Sequence, residues 1–500
     1  MSADSQRTIA ANRAHSWLRK IGVALVPGPM TPLLQRASHD LLRQFERLGH
    51  EVQLRPNDGS DVLLTTALFE EPIEWREAPL FTARRRFRLD HLPTVYTLVH
   101  ASSSAFQRVL DRLEVALSRE PPDPADFAFP GLAPRAYHVL VEQGRRGGAI
   151  LALERLVQAQ AKSLRVVLVV GDERPLASYH FDLAGAYPCT QADDPQVFYE
   201  DIVLRIVTAA STTEVNRHQV VGEPVSGTLW QRLSTPAAVR LAGRELGRRS
   251  FFTEMVRITD LVTVPAVGEA VAEQYSEGCF ATWDPELEAL VATVTGSARP
   301  VDKGNITDDE LAVIVGVRSD GQGALVRHVE GIRNDPPSSE SVEMIDMDRA
   351  LPAITLGAVW DTEVEVPVVR SKLHGHRGVA SYDPRHVEHV PLDPPYYHYL
   401  VSCATEAQVR AIRGAFARSE ALQDPDDPRQ VVFTVLPGHG VVIVEKWVPG
   451  TVPFQVIWEF MDAGYLEIDN LIPQGPMCYV PDASGRLVLR TAEPSPHESG

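Results

Sequence analysis

Ile21-Gly22-Val23-Ala24-Leu25-Val26 is a short apolar run, broken by Pro27-Gly28-Pro29. Beyond the break, Leu33, Leu34, Ala37, Leu41, Leu42, Phe45 and Leu48 recur at spacings of three and four. That period predicts an amphipathic helix with one apolar stripe. Gly49 follows it, as a glycine does just past a helix. Residues 51–54, 61–65 and 94–99 are further strand-like runs. Strands alternating with helices predict a parallel, doubly wound α/β sheet.

Outward from this opening, a loop-rich connection spans 119–133, and 164–170 (Leu-Arg-Val-Val-Leu-Val-Val) reads as a buried strand after a helix over 151–160. Helical patterns fill most of 196–275. Asp284 as N-cap, Pro285, then Leu287, Leu290, Val291 and Val294 before Gly296 predict another helix. From about residue 299 the pattern turns β-rich. Residues 311–317 and 324–329 flank a hairpin turn, and 431–436 and 441–445 flank Pro437-Gly438-His439-Gly440. Thr405-Glu-Ala-Gln408 is a capping box opening a helix. The expected plan is an N-terminal α/β domain over 1–163, a central α/β domain over 164–298, a C-terminal β-rich α+β domain over 299–490 and a disordered tail over 491–500. The first two domains are expected to be doubly wound and Rossmann-like.

A chain of 500 residues suits about three domains at roughly 150 residues each. With 48 Lys+Arg against 66 Asp+Glu the net charge is −18, which argues against a nucleic-acid partner because counterion release needs clustered positive charge. Arg84-Arg85-Arg86, Arg145-Arg146 and Arg248-Arg249 sit among acidic neighbours and read as solvated helix ends or phosphate contacts. The cysteines, 189, 279, 403 and 478, are too dispersed for a zinc knuckle or a disulfide scaffold. No apolar run approaches the roughly 18 residues needed to span a bilayer, and no signal core opens the chain. The expectation is a soluble, cytoplasmic protein without a membrane partner.

Walker A, Gly-x-Gly-x-x-Gly, Gly-x-Ser-x-Gly and His-Glu-x-x-His motifs are absent. Histidine and carboxylate concentrate instead in the last 230 residues or so. His374-Gly375-His376 places two imidazoles on one face of an extended segment. His386, His389 and His398 follow, and His439 sits in a glycine-rich turn. Glu277 precedes Gly278, and Glu330 ends a predicted strand beside His328. Mixed nitrogen and oxygen ligands suit a divalent metal such as Mn²⁺, Co²⁺ or Zn²⁺. Each residue also has a plainer role: a solvated loop histidine, a helix-end glutamate or, for Cys279 and Cys403, a small buried hydrophobe. The glycines beside His374, His376 and His439 favour the ligand role, since they allow close approach.

Tyr275-Ser-Glu277-Gly278-Cys279, leading into the predicted helix, resembles the Ala-Glu-Gly-Asp segment of the L-arabinose and L-fucose isomerase superfamily. Pro437-Gly438-His439-Gly440, running on to Tyr465-Leu-Glu-Ile-Asp469-Asn470, resembles that family's Gly-Ala-His-His-Thr strand and its Ile-Asp-Asn ending. The three-domain plan is similar as well. The resemblance implies one divalent metal held by two glutamates and two histidines. Glu277 takes the first glutamate position, Glu330 the second, His374 or His376 the third place and His439 the last. Cys279 stands where the family has aspartate, and a single histidine, followed by Gly440, replaces its tandem pair.

On this resemblance the chain is an aldose–ketose isomerase with Mn²⁺ as the first-choice metal, a small sugar as substrate and a homo-oligomeric state, trimer or hexamer. Glu277 and Glu330 would shuttle a proton between adjacent carbons through an enediol. Two other readings stand beside it. The departures at 279 and 440 suit a non-catalytic sugar-binding or regulatory protein. The Pro27-Gly28-Pro29-Met30 loop at a helix N-terminus suits a glycosyltransferase cradling a nucleotide-sugar phosphate.

Overall fold

A computed structural model describes residues 20–69, 93–121, 165–182, 189–211, 215–252, 278–295, 301–359, 362–393, 404–469 and 477–490, with short pieces at 148–150, 153, 185–186, 254–256 and 274–276. The expected helix at 151–160, Glu277, His398, Cys403 and the tail from 491 lie outside the described residues, Leu153 apart. The architecture is α/β, with helices against mixed parallel and antiparallel sheets. It divides into two compact units, one of residues 1–213, 254–274 and 394–403, the other of 214–253, 275–393 and 404–500.

In the first unit β1 (Gly22–Leu25), β2 (Glu51–Gln53), β3 (Val62–Leu68), β4 (Thr94–Ala101) and β5 (Arg165–Gly171) run parallel in the order β2-β1-β3-β4-β5. The antiparallel β6 (Pro175–Asp182) follows β5. The predicted stripe forms α1 (Pro32–Arg47), whose first turn is capped by Thr31 Oγ1 accepting from the Leu34 N–H at 3.1 Å. With α3 (Pro195–Ser211) it covers Val23, Leu64, Leu98 and Val167 on one face. On the other, α2 (Ser103–Ser118) covers Val99, Ala101, Val166 and Leu168. Two covered faces explain why these strands read as unbroken apolar runs.

The boundary expected after residue 163 falls inside this sheet, because β4 and β5 pair from Tyr96↔Arg165 to Ala101↔Val170. The strand expected to open a second Rossmann-like domain belongs to the first sheet. A strand buried on both faces carries no mark of which sheet it joins.

The second unit is built on a nine-stranded sheet. Its strands are β7 (Gln219–Val220), β8 (Cys279–Asp284), β9 (Ala289–Thr293), β10 (Leu311–Val317), β11 (Ala324–Arg327), β12 (Val369–Gly375), β13 (Val387–His389), β14 (Val431–Leu436) and β15 (Gly440–Lys446). The order is β13-β14-β15-β12-β8-β9-β10-β11-β7, antiparallel except for the parallel outermost pairs. Both predicted hairpins are present, β10 with β11 and β14 with β15. One face packs against α5 (Ser341–Asp346) and α6 (Glu406–Phe416) through Val342, Met344, Ile345 and Val409. The opposite face packs against α4 (Thr235–Arg248) and α7 (Gln455–Asp462) through Val239, Ala242, Leu246, Val456 and Ile457. Each large apolar side chain so buried contributes roughly 1.5–3 kcal/mol.

The boundary expected after 298 also falls inside a sheet, since β9 and β10 pair antiparallel across it. The helix expected from Asp284 is the β8–β9 hairpin instead. Asp284 does cap, with Oδ1 accepting the Glu286 and Leu287 N–H groups at 2.9 Å each, but it caps a turn that Glu288 closes at φ 48°. Ala289–Thr293 is buried throughout, Leu290 and Ala292 in one core and Ala289 and Val291 in the other. Residues with no polar face fit a two-sided strand as well as a helix, and the sheet decides. Among the described residues no helix is long and apolar enough to cross a membrane.

Candidate metal centre

The centre gathers on three central elements of the second unit. His374 is the penultimate residue of β12, and His376 follows in the turn. Their ring centroids stand 5.3 Å apart. His439 occupies the β14–β15 turn, and β15 is the neighbour of β12, so its ring lies 4.9 Å from that of His374 and 4.8 Å from that of His376. Glu340, just before α5, closes the group. One ligand atom from each of Glu340, His374, His376 and His439 falls within 4.8 Å of all the others.

The glycines work differently from the expectation. A Cβ on Gly440 would lie 2.2 Å from the Gly375 carbonyl oxygen, and one on Gly375 would lie 2.2 Å from the Phe251 ring. They let the His439 turn press on the end of β12, and β12 on Phe251. The approach they permit is between backbones and side chains of the protein itself.

His439 Nε2 and His376 Nε2 are 3.1 Å apart, and Glu340 Oε1 is 3.3 Å from His374 Nε2. Ligand atoms about 2.1 Å from one ion at tetrahedral angles stand about 3.4 Å from each other. Those two separations are close to that value, the four ligand atoms together spread to 4.8 Å, and three imidazoles with one carboxylate suit a borderline divalent ion in donor chemistry. Ser338 Oγ donates to the second Glu340 oxygen at 3.3 Å, an outer contact that orients the carboxylate.

Burial opposes ionisation of Glu340, but His374, then His376 and His439, hold its carboxyl well below the usual range. Burial likewise pushes His374 down, and the adjacent Glu340 more than reverses it, with Glu343 and the Val441 carbonyl adding to the rise. Each group thus favours the charged form of the other. Lys372, on the same face of β12 as His374, is buried and ion-paired with Asp348. Cys279, opposite His374 in the sheet, points its Sγ at Met344 Sδ, 3.8 Å away. Burial pushes its thiol up to about 12, so it behaves as an apolar residue and not as a nucleophile.

Of the residues read as ligands, His374, His376 and His439 meet, and both members of the His-Gly-His alternative take part. Glu277 lies outside the described residues. Glu330 is not in the centre, which corrects the expectation for it. Its Oε2 accepts the Gly227 N–H at 3.2 Å, and it lines a separate cleft of about 510 Å³ with Trp230, Arg240 and Asp308. The reason is topological: β11 lies four strands from β12, and the chain returns to the histidines only after Pro336-Pro337, at Glu340. His386 stacks on Tyr465 at 4.2 Å, and the half-buried His389 stacks on Phe433, its pKa lowered to about 4 by desolvation.

Glu340 was the residue missed. Its signal was available: Glu340 and Glu343 stand one helical turn apart among Val342, Met344 and Ile345, where charge is costly without a partner. Comparison of the chain with protein-family models, with curated proteins and with solved structures finds no match.

Proposed function

We propose that this chain is a metal-dependent aldose–ketose isomerase-like enzyme. One divalent ion, with Mn²⁺ the first choice and Co²⁺ or Zn²⁺ the alternatives, is held by Glu340, His374, His376 and His439. The observation that carries the reading is the convergence of those four side chains, three of them buried and His376 half-buried. Bound there, such an ion supplies Lewis-acid stabilisation to a developing oxyanion on a small hydroxy-carbonyl substrate. The chain contributes neutral imidazole donors and a carboxylate fixed by Ser338. Burial on the α5–α6 face excludes bulk water and strengthens each electrostatic contact. On this reading the substrate is a small sugar, the working form a cytoplasmic homo-oligomer, and the doubly wound first unit the counterpart of the isomerases' N-terminal domain.

A metal-holding but non-catalytic sugar-binding protein is the second reading. The observation favouring it is that the centre contains one carboxylate among its described ligands, where the resemblance implies two. The glycosyltransferase reading is not pursued, because the strands of the second unit pair mainly antiparallel.

Elemental analysis of protein loaded with Mn²⁺ and desalted tests the reading. About one ion per chain is expected, falling about tenfold in His376→Ala and His439→Ala. Retention of no metal by the wild type overturns it. Turnover of pentoses or 6-deoxyhexoses by the loaded protein separates the enzyme from the binding protein.

A further inference from the structure

His376 is the half-buried ligand of the centre, and it lies just past β12, whose last pair in the sheet is Gly375↔Val441. With Arg377 it forms the link to a strand over Gly378–Tyr382. Sheet hydrogen bonds therefore do not fix its place. The end of α4 lies against this link. There the Ser250 N–H donates to the Gly247 carbonyl at 2.9 Å and the Phe251 N–H to the Leu246 carbonyl at 3.0 Å, a Schellman ending. Ser250 takes the left-handed position of that motif at φ 54°. Glycine usually fills it, and another residue stays there only where its surroundings enforce the conformation.

Both neighbours of His376 are seated on this corner. Gly375 lies so close to the Phe251 ring that a Cβ would stand 2.2 Å from it. Arg377 is buried, and its Nε donates to the Phe251 carbonyl at 3.2 Å while Nη2 donates to the Ser250 carbonyl. A cation is favoured at the C-terminus of a helix. The planar fork of a guanidinium also reaches two carbonyls at once, which a lysine ammonium on its flexible stem does not reproduce. We propose that Arg377 is a positioning residue of the centre: by tying the link to the end of α4 it sets where the His376 imidazole stands. This rests on the metal-centre reading above and not on the reaction assigned to it. Arg377 acts through His376 and not on the ion.

The test titrates the full chain with Co²⁺ and reads the visible d–d absorption, which reports the number and geometry of the ligands. Arg377→Ala should bind Co²⁺ about tenfold more weakly, with a band shifted toward that of His376→Ala. Arg377→Lys keeps the charge and loses the fork, so its affinity and band should fall between those of wild type and Arg377→Ala. Arg249→Ala removes the ion pairs to Glu245 and Asp462 at the same end of α4. It leaves the link untouched and should keep the wild-type band and affinity. A wild-type band and affinity in Arg377→Ala, or an equal loss in Arg249→Ala, overturns the proposal while leaving the centre in place. Should Arg377→Ala fail to fold, Arg377→Lys decides, and a wild-type band there overturns the proposal. A wild type that binds no Co²⁺ removes the centre itself, and the proposal with it.

Discussion

His374 and Glu340 illustrate how single residues set the pH response of this protein. Glu340 is held below its ordinary pKa, so its contribution is present above the usual carboxylate range and lost as pH falls. His374 is raised, so its contribution is full below the ordinary histidine value and is lost as pH rises through the folded one. Glu343, lifted to about 8 from 4.5, acts in the same direction as His374: folding favours its protonated form, and that advantage disappears between those values. Metal-free protein should therefore be most stable in mildly acidic buffer and lose stability toward pH 8.5. Glu343→Gln should remove up to roughly 5 kcal/mol of that loss. Urea unfolding of the metal-free proteins across pH checks it, and parallel wild-type and variant curves would contradict the assignment. At this scale His374 and His376 stand out by their spacing as alternative ligands, and His439 by its glycine-rich turn. For Glu340 the pairing with Glu343 in an apolar stretch marks a buried charge, but nothing in Pro-Pro-Ser-Ser-Glu says which partners it meets.

At the scale of elements, the centre depends on how closely the β14–β15 turn approaches β12. Gly438 at φ 69° turns the chain, and Gly440 leaves the Gly375 carbonyl its room. Gly440→Ala must displace a backbone strand and not a flexible side chain. We expect a loss of about 1–3 kcal/mol in stability and a larger proportional loss in metal retention, because His439 moves with the turn. Calorimetry together with elemental analysis separates the two, and unchanged metal content would show that the turn tolerates the shift. The neighbouring Glu445 anchors the next element. Its carboxyl accepts Ser371 Oγ and the Phe454 N–H at 2.8 Å each and the Val456 N–H at 3.0 Å, holding the start of α7. Burial nonetheless lifts its pKa to about 7. Local patterning found α1, α6 and both hairpins, where period and caps agree. It failed at Asp284, where one capping side chain serves a helix and a tight turn equally.

For the whole molecule, a metal that bridges β12, the β14–β15 turn and the start of α5 ties together segments up to 99 residues apart in the chain, from Glu340 to His439. Such an ion stabilises only the folded state. Free metal at about 1,000 times its Kd adds about 4 kcal/mol, and EDTA should lower the unfolding temperature accordingly. The shift should shrink below the ordinary histidine pKa of about 6.5, where protons compete for the imidazoles. A shift independent of EDTA at pH 8 would count against the centre. The sequence by itself determined the elements whose period and punctuation are local, the α/β class, and the pairing of His374 with His376, because spacing of two along a strand is a local property. Only the tertiary structure decided which sheet each apolar strand joins, that two units and not three consecutive domains form, and that Glu340 rather than Glu330 reaches the histidines. The reason is physical: strands buried on both faces are interchangeable in composition, and a buried carboxylate is defined by partners brought to it from distant parts of the chain.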